Sequence, residues 1–301
     1  MDTVHMIKNY LEHNWWTNIE KRNVDNWLKN FGDNADIGKF ILEQIVFYNK
    51  EQLESYTKSI VEQIKADVYN KTIQDFANDI DDEQLEQNWQ QYLNHVKVMP
   101  ADIKNTAGGS PHLVIREYRY IFKNQRTSKI EKIGQNIKDG IREFILVDDF
   151  AGTGEQMMEL LSTKIRVSDR DIEIGRIPEM FEDVNMMIAV YVIHQNALNR
   201  LSKSFPMVSI KYIDLIDEQW DLLNVDGMAY SNMTKMKADK IVAYLSALCN
   251  KLREERSDYH ELEKYQLNIP IVFEHGCPNN TFLPIFAETE SWKQLFKRGD
   301  E

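Results

Sequence analysis

The chain has 301 residues and a mass of 35.5 kDa, and 43% of its residues are apolar. That composition supplies a sizeable core and excludes intrinsic disorder. A formal net charge of -12 and a pI near 5.2 exclude a protein that coats nucleic acid by bulk electrostatics. Two cysteines, Cys249 and Cys277, are too few for a disulfide framework and favour a reducing compartment.

The first hundred residues predict a helical N-terminal extension. They are poor in glycine and proline, and their apolar residues recur at helical spacing within 24–31, 37–48 and 53–68. The pattern changes after Pro100, where runs of β-branched and aromatic residues begin. We therefore expect an all-helical extension over residues 1–100 and a second domain over residues 101–301.

The second domain predicts an α/β fold. The candidate strands are His112–Phe122, Phe144–Val147, Met187–Ile193, Val208–Leu215 and Ile269–Glu274. The candidate helices are Gln156–Thr163, Ala197–Lys203 and Lys235–Arg256. Strands that alternate with helices are typical of a mostly parallel sheet covered by helices on both faces.

Two further patterns bear on partners and location. The apolar run around Met186–Val192 is far shorter than the roughly 20 residues of a membrane-spanning helix, so we expect a cytoplasmic protein with no membrane partner. The segment from Lys104 to Lys138 carries eight bases and two acids. We expect a basic hairpin or loop there, which suits a phosphate-rich substrate or a nucleic-acid partner. We expect no strong binding of the acidic chain to free duplex DNA.

Residues 144–156, Phe-Ile-Leu-Val-Asp-Asp-Phe-Ala-Gly-Thr-Gly-Glu-Gln, carry the clearest chemistry. Four apolar residues predict a buried strand, Asp148 and Asp149 end it, and small residues form a turn before a helix. Adjacent carboxylates accept hydrogen bonds from a vicinal diol, and a glycine-rich turn at a helix N-terminus binds an anion. A ribose 5-phosphate satisfies both requirements.

This arrangement resembles the motif of type I phosphoribosyltransferases, in which two acids after an apolar strand precede small residues and Thr-Gly-x-Thr. Asp148, Asp149, Gly152, Thr153 and Gly154 match, and Gln156 stands where the family has its last threonine. The resemblance implies that the acids hold the ribose hydroxyls of phosphoribosyl pyrophosphate and that the turn binds its 5-phosphate. It also implies magnesium, bound indirectly to Asp148 and Asp149 through the ligand.

A second element resembles phosphoribosyltransferase-like proteins of bacterial conflict systems. Residues 275–284, His-Gly-Cys-Pro-Asn-Asn-Thr-Phe-Leu-Pro, are similar to the C-terminal element of that group, and Trp27-Leu28-x-x-Phe31 is similar to its helical start. The resemblance implies an antiphage effector or toxin. Its implied partner is a defence protein such as a retron reverse transcriptase with its RNA-DNA product.

The candidate site follows from these motifs. Asp148 and Asp149 are the candidate catalytic residues. The candidate ligand-binding residues are Ala151, Gly152, Thr153, Gly154, Gln156, Gly108, Gly109, Arg116, Asn279, Asn280 and His275.

Three alternatives remain open at this stage. The first is a non-catalytic module of the same fold that senses a nucleotide or binds a partner, for which Gln156 is the evidence. The second is an S-adenosylmethionine-dependent methyltransferase, because residues 150–154, Phe-Ala-Gly-Thr-Gly, also match the end of an Asp-x-Phe-x-Gly-x-Gly loop, although the chain lacks an Asn/Asp-Pro-Pro-Tyr motif. The third is that residues 144–156 form a purely structural strand, turn and helix that bind no ligand.

Overall fold

The computed structural model describes residues 3–13, 15–76, 81–102, 110–122, 126–262 and 266–298. Its helices are α1 (Thr3–Glu12), α2 (Lys21–Lys29), α3 (Ala35–Gln44), α4 (Lys50–Phe76), α5 (Asp82–His95), α6 (Ser110–Phe122), α7 (Ile133–Lys138), α8 (Glu155–Ser162), α9 (Ile177–Met180), α10 (Gln195–Ser204), α11 (Lys235–Glu255), α12 (Asp258–Glu261) and α13 (Leu283–Phe286). Its strands are β1 (Val46–Tyr48), β2 (Val96–Pro100), β3 (Glu143–Ala151), β4 (Lys164–Val167), β5 (Arg170–Glu173), β6 (Asn185–His194), β7 (Val208–Lys211), β8 (Asp214–Ile216) and β9 (Ile271–Phe273).

The chain forms two compact units. One comprises residues 1–52 and 216–301, and the other comprises residues 53–215. These bounds differ from the division at residue 100, which stays a prediction about domain organisation.

The 53–215 unit is built on a mostly parallel sheet in the order β2-β3-β6-β7, and β8 also pairs with β6. One face of this sheet packs against α7, α8 and α10, since Leu146 on β3 and Val190 on β6 share a core cluster with residues of those helices. Side chains alternate along a strand, so Tyr191 lies on the opposite face, where its hydroxyl meets Thr57 of α4. Helices therefore flank the sheet, which confirms the predicted α/β fold.

The 1–52/216–301 unit has its own core, which α2, α3, α11 and α13 share. Trp27 is fully buried, and its Nε1 donates to the carbonyl of Pro284 over 2.8 Å. The two-stranded sheet of this unit pairs β1 with β9 in parallel. Both cysteines lie here, buried and with free thiols.

The structure corrects three predicted elements. Residues 112–122, predicted as a strand, belong to helix α6: buried Val114, Ile115, Tyr118 and Phe122 follow a helical period, and Pro111 stands near the helix start. The first hundred residues are not all helical, because they contain β1 and β2. Residues 208–215 form two short strands, β7 and β8, where one was predicted.

No helix among the described residues combines the length and apolarity needed to cross a bilayer.

The predicted basic hairpin is also wrong in shape, because Arg116 and Arg119 stand on α6 and Lys138 ends α7. Arg126 is used structurally, since its guanidinium donates to the carbonyl of Phe122 and to Asn94. Lys104 and Lys123 lie outside the described residues.

Candidate functional site

The acid pair lies inside strand β3, which runs past the predicted strand end to Ala151. β2 and β6 pair with β3 in parallel on either side, so the apolar run that opens the strand is buried. Asp148 and Asp149 continue the strand, and each is only 4% exposed. The prediction that these two acids end the strand is therefore wrong, since the strand continues to Ala151 and carries both acids in a buried position near its carboxyl end.

Asp148 accepts two hydrogen bonds through Oδ1. The backbone N–H of Asp149 donates over 2.9 Å, and the hydroxyl of Ser110 donates over 3.5 Å. Burial, followed by the charge of Asp149 and a hydrogen bond between the two carboxyl groups, raises the pKa of Asp148 well above its usual range. The pair therefore retains a shared proton at a pH where a solvated aspartate has lost its own.

The hydroxyl groups of Thr57 on α4 and Tyr191 on β6 contact each other on the face of the sheet that α4 covers. The Thr57 hydroxyl donates to the carbonyl of Leu53, so the Tyr191 hydroxyl, 2.7 Å from Thr57, donates to the threonine. Burial, then the charges of Asp149 and Glu117, raise the pKa of Tyr191. Tyr191 is therefore a neutral phenol in the field of Asp149, held by α4.

Residues 152–154 form the turn between β3 and α8. Gly154 adopts φ +76°, and a Cβ there would lie 3.1 Å from the Cα of Ala197. Glycine is therefore required at Gly154 by a left-handed backbone and by close packing of α10. Gly152 is buried, and φ is not positive there.

The first turn of α8 places Glu155 and Gln156 after this glycine. Gln156 is exposed, and the Glu155 carboxylate pairs with Arg200 over 2.6 Å. The Glu155 backbone N–H lies 3.4 Å from the Thr153 hydroxyl. The charge beside the predicted phosphate-binding turn is thus paired with an arginine of α10.

The start of α6 brings further polar groups to the same edge of the sheet. Pro100 pairs with Val147, and the N–H of Ala101 donates to the carbonyl of Val147 over 2.9 Å, so β2 and β3 end side by side. Asp102 follows β2, and its Oδ2 lies 3.4 Å from Nε2 of His112 in the first turns of α6. Ser110, at the start of α6, reaches Asp148.

Of the other candidate ligand-binding residues, Arg116 lies on α6 and three lie in the 1–52/216–301 unit. Arg116 is exposed on α6, with its Nε 3.5 Å from Glu117. His275, Asn279 and Asn280 belong to the 1–52/216–301 unit, where His275 stacks on Phe273. In that unit Asn279 accepts from Arg298 over 3.0 Å, and the Asn280 carbonyl accepts from Ile269. Gly108 and Gly109 lie outside the described residues.

The described residues contain no group of three or more His, Cys, Asp or Glu side chains arranged to hold a metal ion. The acid pair nevertheless supplies carboxylate oxygens, the ligand type that magnesium prefers. Magnesium is commonly held by one or two carboxylates together with substrate phosphates. The pair fits that arrangement and does not fit an all-protein metal cage.

The sheet, the buried acids near the end of β3 and the glycine turn that follows define a phosphoribosyltransferase-like α/β protein. The chain belongs to the PRTase-CE family, whose model matches residues 24–298. The match includes the acid pair and the C-terminal His-Gly-Cys-Pro-Asn-Asn-Thr element, and it favours this class over the methyltransferase alternative. A search of curated proteins gave no match.

Proposed function

We propose that the chain binds phosphoribosyl pyrophosphate at the edge formed by Asp148, Asp149 and the 152–154 turn, and transfers or cleaves its phosphoribosyl group. The contact between Ser110 and Asp148 carries this proposal. It places the start of α6 beside the acid pair, so two segments that follow neighbouring parallel strands converge at one edge. Ligands of open α/β sheets bind at the carboxyl ends of the strands.

The acid pair supplies the ribose end of such a site. A carboxylate accepts hydrogen bonds from both hydroxyls of a vicinal diol, and a negative charge in a buried position stabilises positive charge that develops at the anomeric carbon. The pair thus matches a diol, whose two hydroxyls both donate hydrogen bonds.

The turn supplies the phosphate end. Residues 152–154 open helix α8, whose first amides and positive dipole end favour an anion. Glu155 would oppose an anion, but its carboxylate is paired with Arg200 over 2.6 Å. That ion pair reduces the repulsion that the sequence alone implies.

Magnesium belongs to this proposal as a companion of the ligand. Asp148 and Asp149 would hold it through the ribose and phosphate oxygens, and when bound it would offset the charge of the departing pyrophosphate. The remaining chemistry falls to the chain, which orients the sugar and excludes water around the buried acids.

A defence role completes the proposal. It rests on the resemblance of residues 275–284 and of the Trp27 helix to phosphoribosyltransferase-like proteins of conflict systems. We expect an effector that acts in a complex with a defence protein such as a reverse transcriptase and its RNA-DNA product. Phage restriction or host toxicity that disappears in Asp148→Asn is the cellular test.

Calorimetric titration with phosphoribosyl pyrophosphate, with and without magnesium, tests the binding step. We expect Asp149→Asn to weaken binding by about 10- to 150-fold, because a hydrogen bond to a charged group contributes about 1.5–3 kcal/mol. Asp171→Asn is the matched control, since this exposed aspartate on β5 forms a surface ion pair with Arg166 over 3.3 Å.

Three results are informative. Equal affinity for wild type, Asp149→Asn and Asp171→Asn would place the ligand elsewhere. Binding without pyrophosphate release would favour the non-catalytic module. A response to S-adenosylmethionine and none to phosphoribosyl pyrophosphate would return the methyltransferase to consideration.

A further inference from the structure

We propose that an exposed face of helix α6, formed by Arg116, Arg119 and Tyr120, binds single-stranded nucleic acid. A base stacks on the Tyr120 ring while the two arginines contact phosphates of the same strand. We call this surface the α6 face. Neither Arg119 nor Tyr120 belongs to the site proposed at Asp148, so the α6 face adds a function beyond the proposed one and is independent of the ligand that the acid pair binds.

The helical period of α6 places these three side chains together. Ile115 and Tyr118 belong to the buried side of the helix, which packs against β2 and β3. Arg116, Arg119 and Tyr120 are exposed. Residues three and four positions apart are neighbours on a helix surface, so Arg119 and Tyr120 both adjoin Arg116. The α6 face is therefore one contiguous outward surface.

The Tyr120 ring is open to solvent. It is 79% exposed, the largest fraction among the large apolar and aromatic side chains that the structure describes. Tyr118, two residues earlier on the same helix, is fully buried. Within the described residues the Tyr120 side chain has no aromatic, cationic or hydrogen-bonding partner. A ring in this position stacks on any nucleobase that reaches it, because every base has a π face.

The two arginines give the α6 face its positive charge. The Arg116 side chain is 57% exposed, and its Nε lies 3.5 Å from the carboxylate of Glu117, whose side chain is only 16% exposed. Arg119 forms no ion pair with any residue in the described part of the chain. One arginine is thus left unneutralised on a chain whose net charge is -12. A guanidinium presents paired N–H groups to a phosphate, so the α6 face complements a nucleic-acid backbone.

An open ring beside two arginines favours a single strand over other polyanions. The bases of a duplex are stacked on one another, so their faces are not available to Tyr120. A duplex also carries a denser row of phosphates, which the net charge of -12 repels. An acidic peptide would pair with the arginines but would leave the exposed ring without a role.

Fluorescence anisotropy of a labelled oligothymidylate, at about 50 mM salt, measures the binding. We expect wild type to bind and Tyr120→Ala to bind about 5- to 150-fold more weakly, because the variant loses the stacked base. Tyr120→Phe keeps the ring and should keep most of the affinity. Arg119→Gln should weaken binding and reduce the slope of log K against log salt by about 0.7, the contribution of one phosphate contact on a single strand.

Arg166→Gln is the matched control for Arg119→Gln. It removes the same charge from an exposed arginine on β4, whose Nη1 lies 3.3 Å from Asp171. The affinity and the salt slope should stay close to the wild-type values. All of these variants alter exposed side chains, so their Tm should match that of wild type.

Absence of binding by wild type, wild-type affinity in Tyr120→Ala, or equal affinity for a duplex of the same length would overturn this role of the α6 face. Displacement of the oligothymidylate by polyglutamate of equal charge would assign the α6 face to an acidic protein and would overturn it as well. Binding of phosphoribosyl pyrophosphate is measured separately by calorimetry, so failure of the α6 face and failure of the proposed function are distinguishable.

Discussion

Replacing Asp148 by Asn should stabilise the protein at neutral and alkaline pH, and by an amount that grows with pH. Asp148 is 4% exposed, and burial and Asp149 raise its pKa well above the usual range. Between the ordinary aspartate pKa and this raised value, the folded state binds more protons than the unfolded state. The free energy of unfolding therefore falls as pH rises through that window.

The slope can be worked out from this linkage. One proton contributes about 1.4 kcal/mol of unfolding free energy per pH unit inside the window. For a protein of 301 residues that corresponds to a change in Tm of roughly 2 °C per pH unit. The amide introduced by Asp148→Asn would carry no such proton, so the difference between variant and wild type should follow this slope.

Asparagine suits this test because it reproduces the hydrogen bonds of the protonated acid. Its Oδ1 still accepts from the Asp149 N–H and the Ser110 hydroxyl, and its Nδ2 donates to the Asp149 carboxylate where the shared proton stood. Near pH 5 the two proteins should therefore differ by no more than about 0.5 kcal/mol, as expected for a substitution that keeps its contacts.

The assay is thermal unfolding of wild type, Asp148→Asn and the exposed control Asp171→Asn at pH 5, 6, 7 and 8. The stability of Asp148→Asn relative to wild type should increase as pH rises toward the raised pKa of Asp148, while Asp171→Asn stays parallel to wild type. A pH-independent difference, or a loss of stability in Asp148→Asn at every pH, would refute the argument that Asp148 holds a proton in the folded state.

Three further outcomes are expected. Gly154→Ala should destabilise the protein by about 1–3 kcal/mol more than Gly140→Ala in urea unfolding. Both glycines have positive φ, so the cost of that conformation cancels, but only at Gly154 does the added Cβ lie 3.1 Å from a backbone atom, the Cα of Ala197; equal losses would show that this contact is relieved freely. Thr57→Val should cost about 1–3 kcal/mol by leaving the Tyr191 hydroxyl without its acceptor, and Thr57→Ser should restore most of it. Binding of the magnesium complex of phosphoribosyl pyrophosphate should release a proton from the acid pair, seen as a calorimetric heat that depends on the ionisation enthalpy of the buffer; a buffer-independent heat would contradict the shared proton.

The sequence was informative where periodicity was long and local. Helices α8, α10 and α11 begin and end within two residues of their predicted bounds, since each combines an amphipathic repeat with a clear start. The strand predicted over His112–Phe122 was wrong, because β-branched and aromatic residues suit both a strand and a buried helix. The Ser110-Pro111 start was the signal that favours a helix there.

Short strands failed for a different reason. β1 has three residues, and its partner β9 lies at the other end of the chain, so no local pattern distinguishes it from the end of a helix. β2 lies directly after α5 and gains its strand conformation from pairing with β3. Pairing over such sequence distances is a tertiary effect that single-sequence patterns do not contain.

The candidate site, like the fold, could be predicted from the sequence only in part. The acid motif was visible in the sequence, but the proton it shares was not, because burial of Asp148 depends on strands from both sides and on Ser110. Asp102 and His112 are ten residues apart and meet only because β2 and α6 meet at this edge.

The burial of Asp148 and Asp149 is itself an argument for function. An apolar or amide pair at these positions would keep strand β3 paired while avoiding the desolvation of two adjacent acids. Natural sequences depart from such local consistency mainly where a site requires it, and stability is then lost in exchange for activity. The predicted gain in stability of Asp148→Asn and the predicted loss of binding in Asp149→Asn are therefore two measurements of one cause. A stabilised variant that keeps full ligand binding and cellular activity would separate them and leave the acids without a functional explanation.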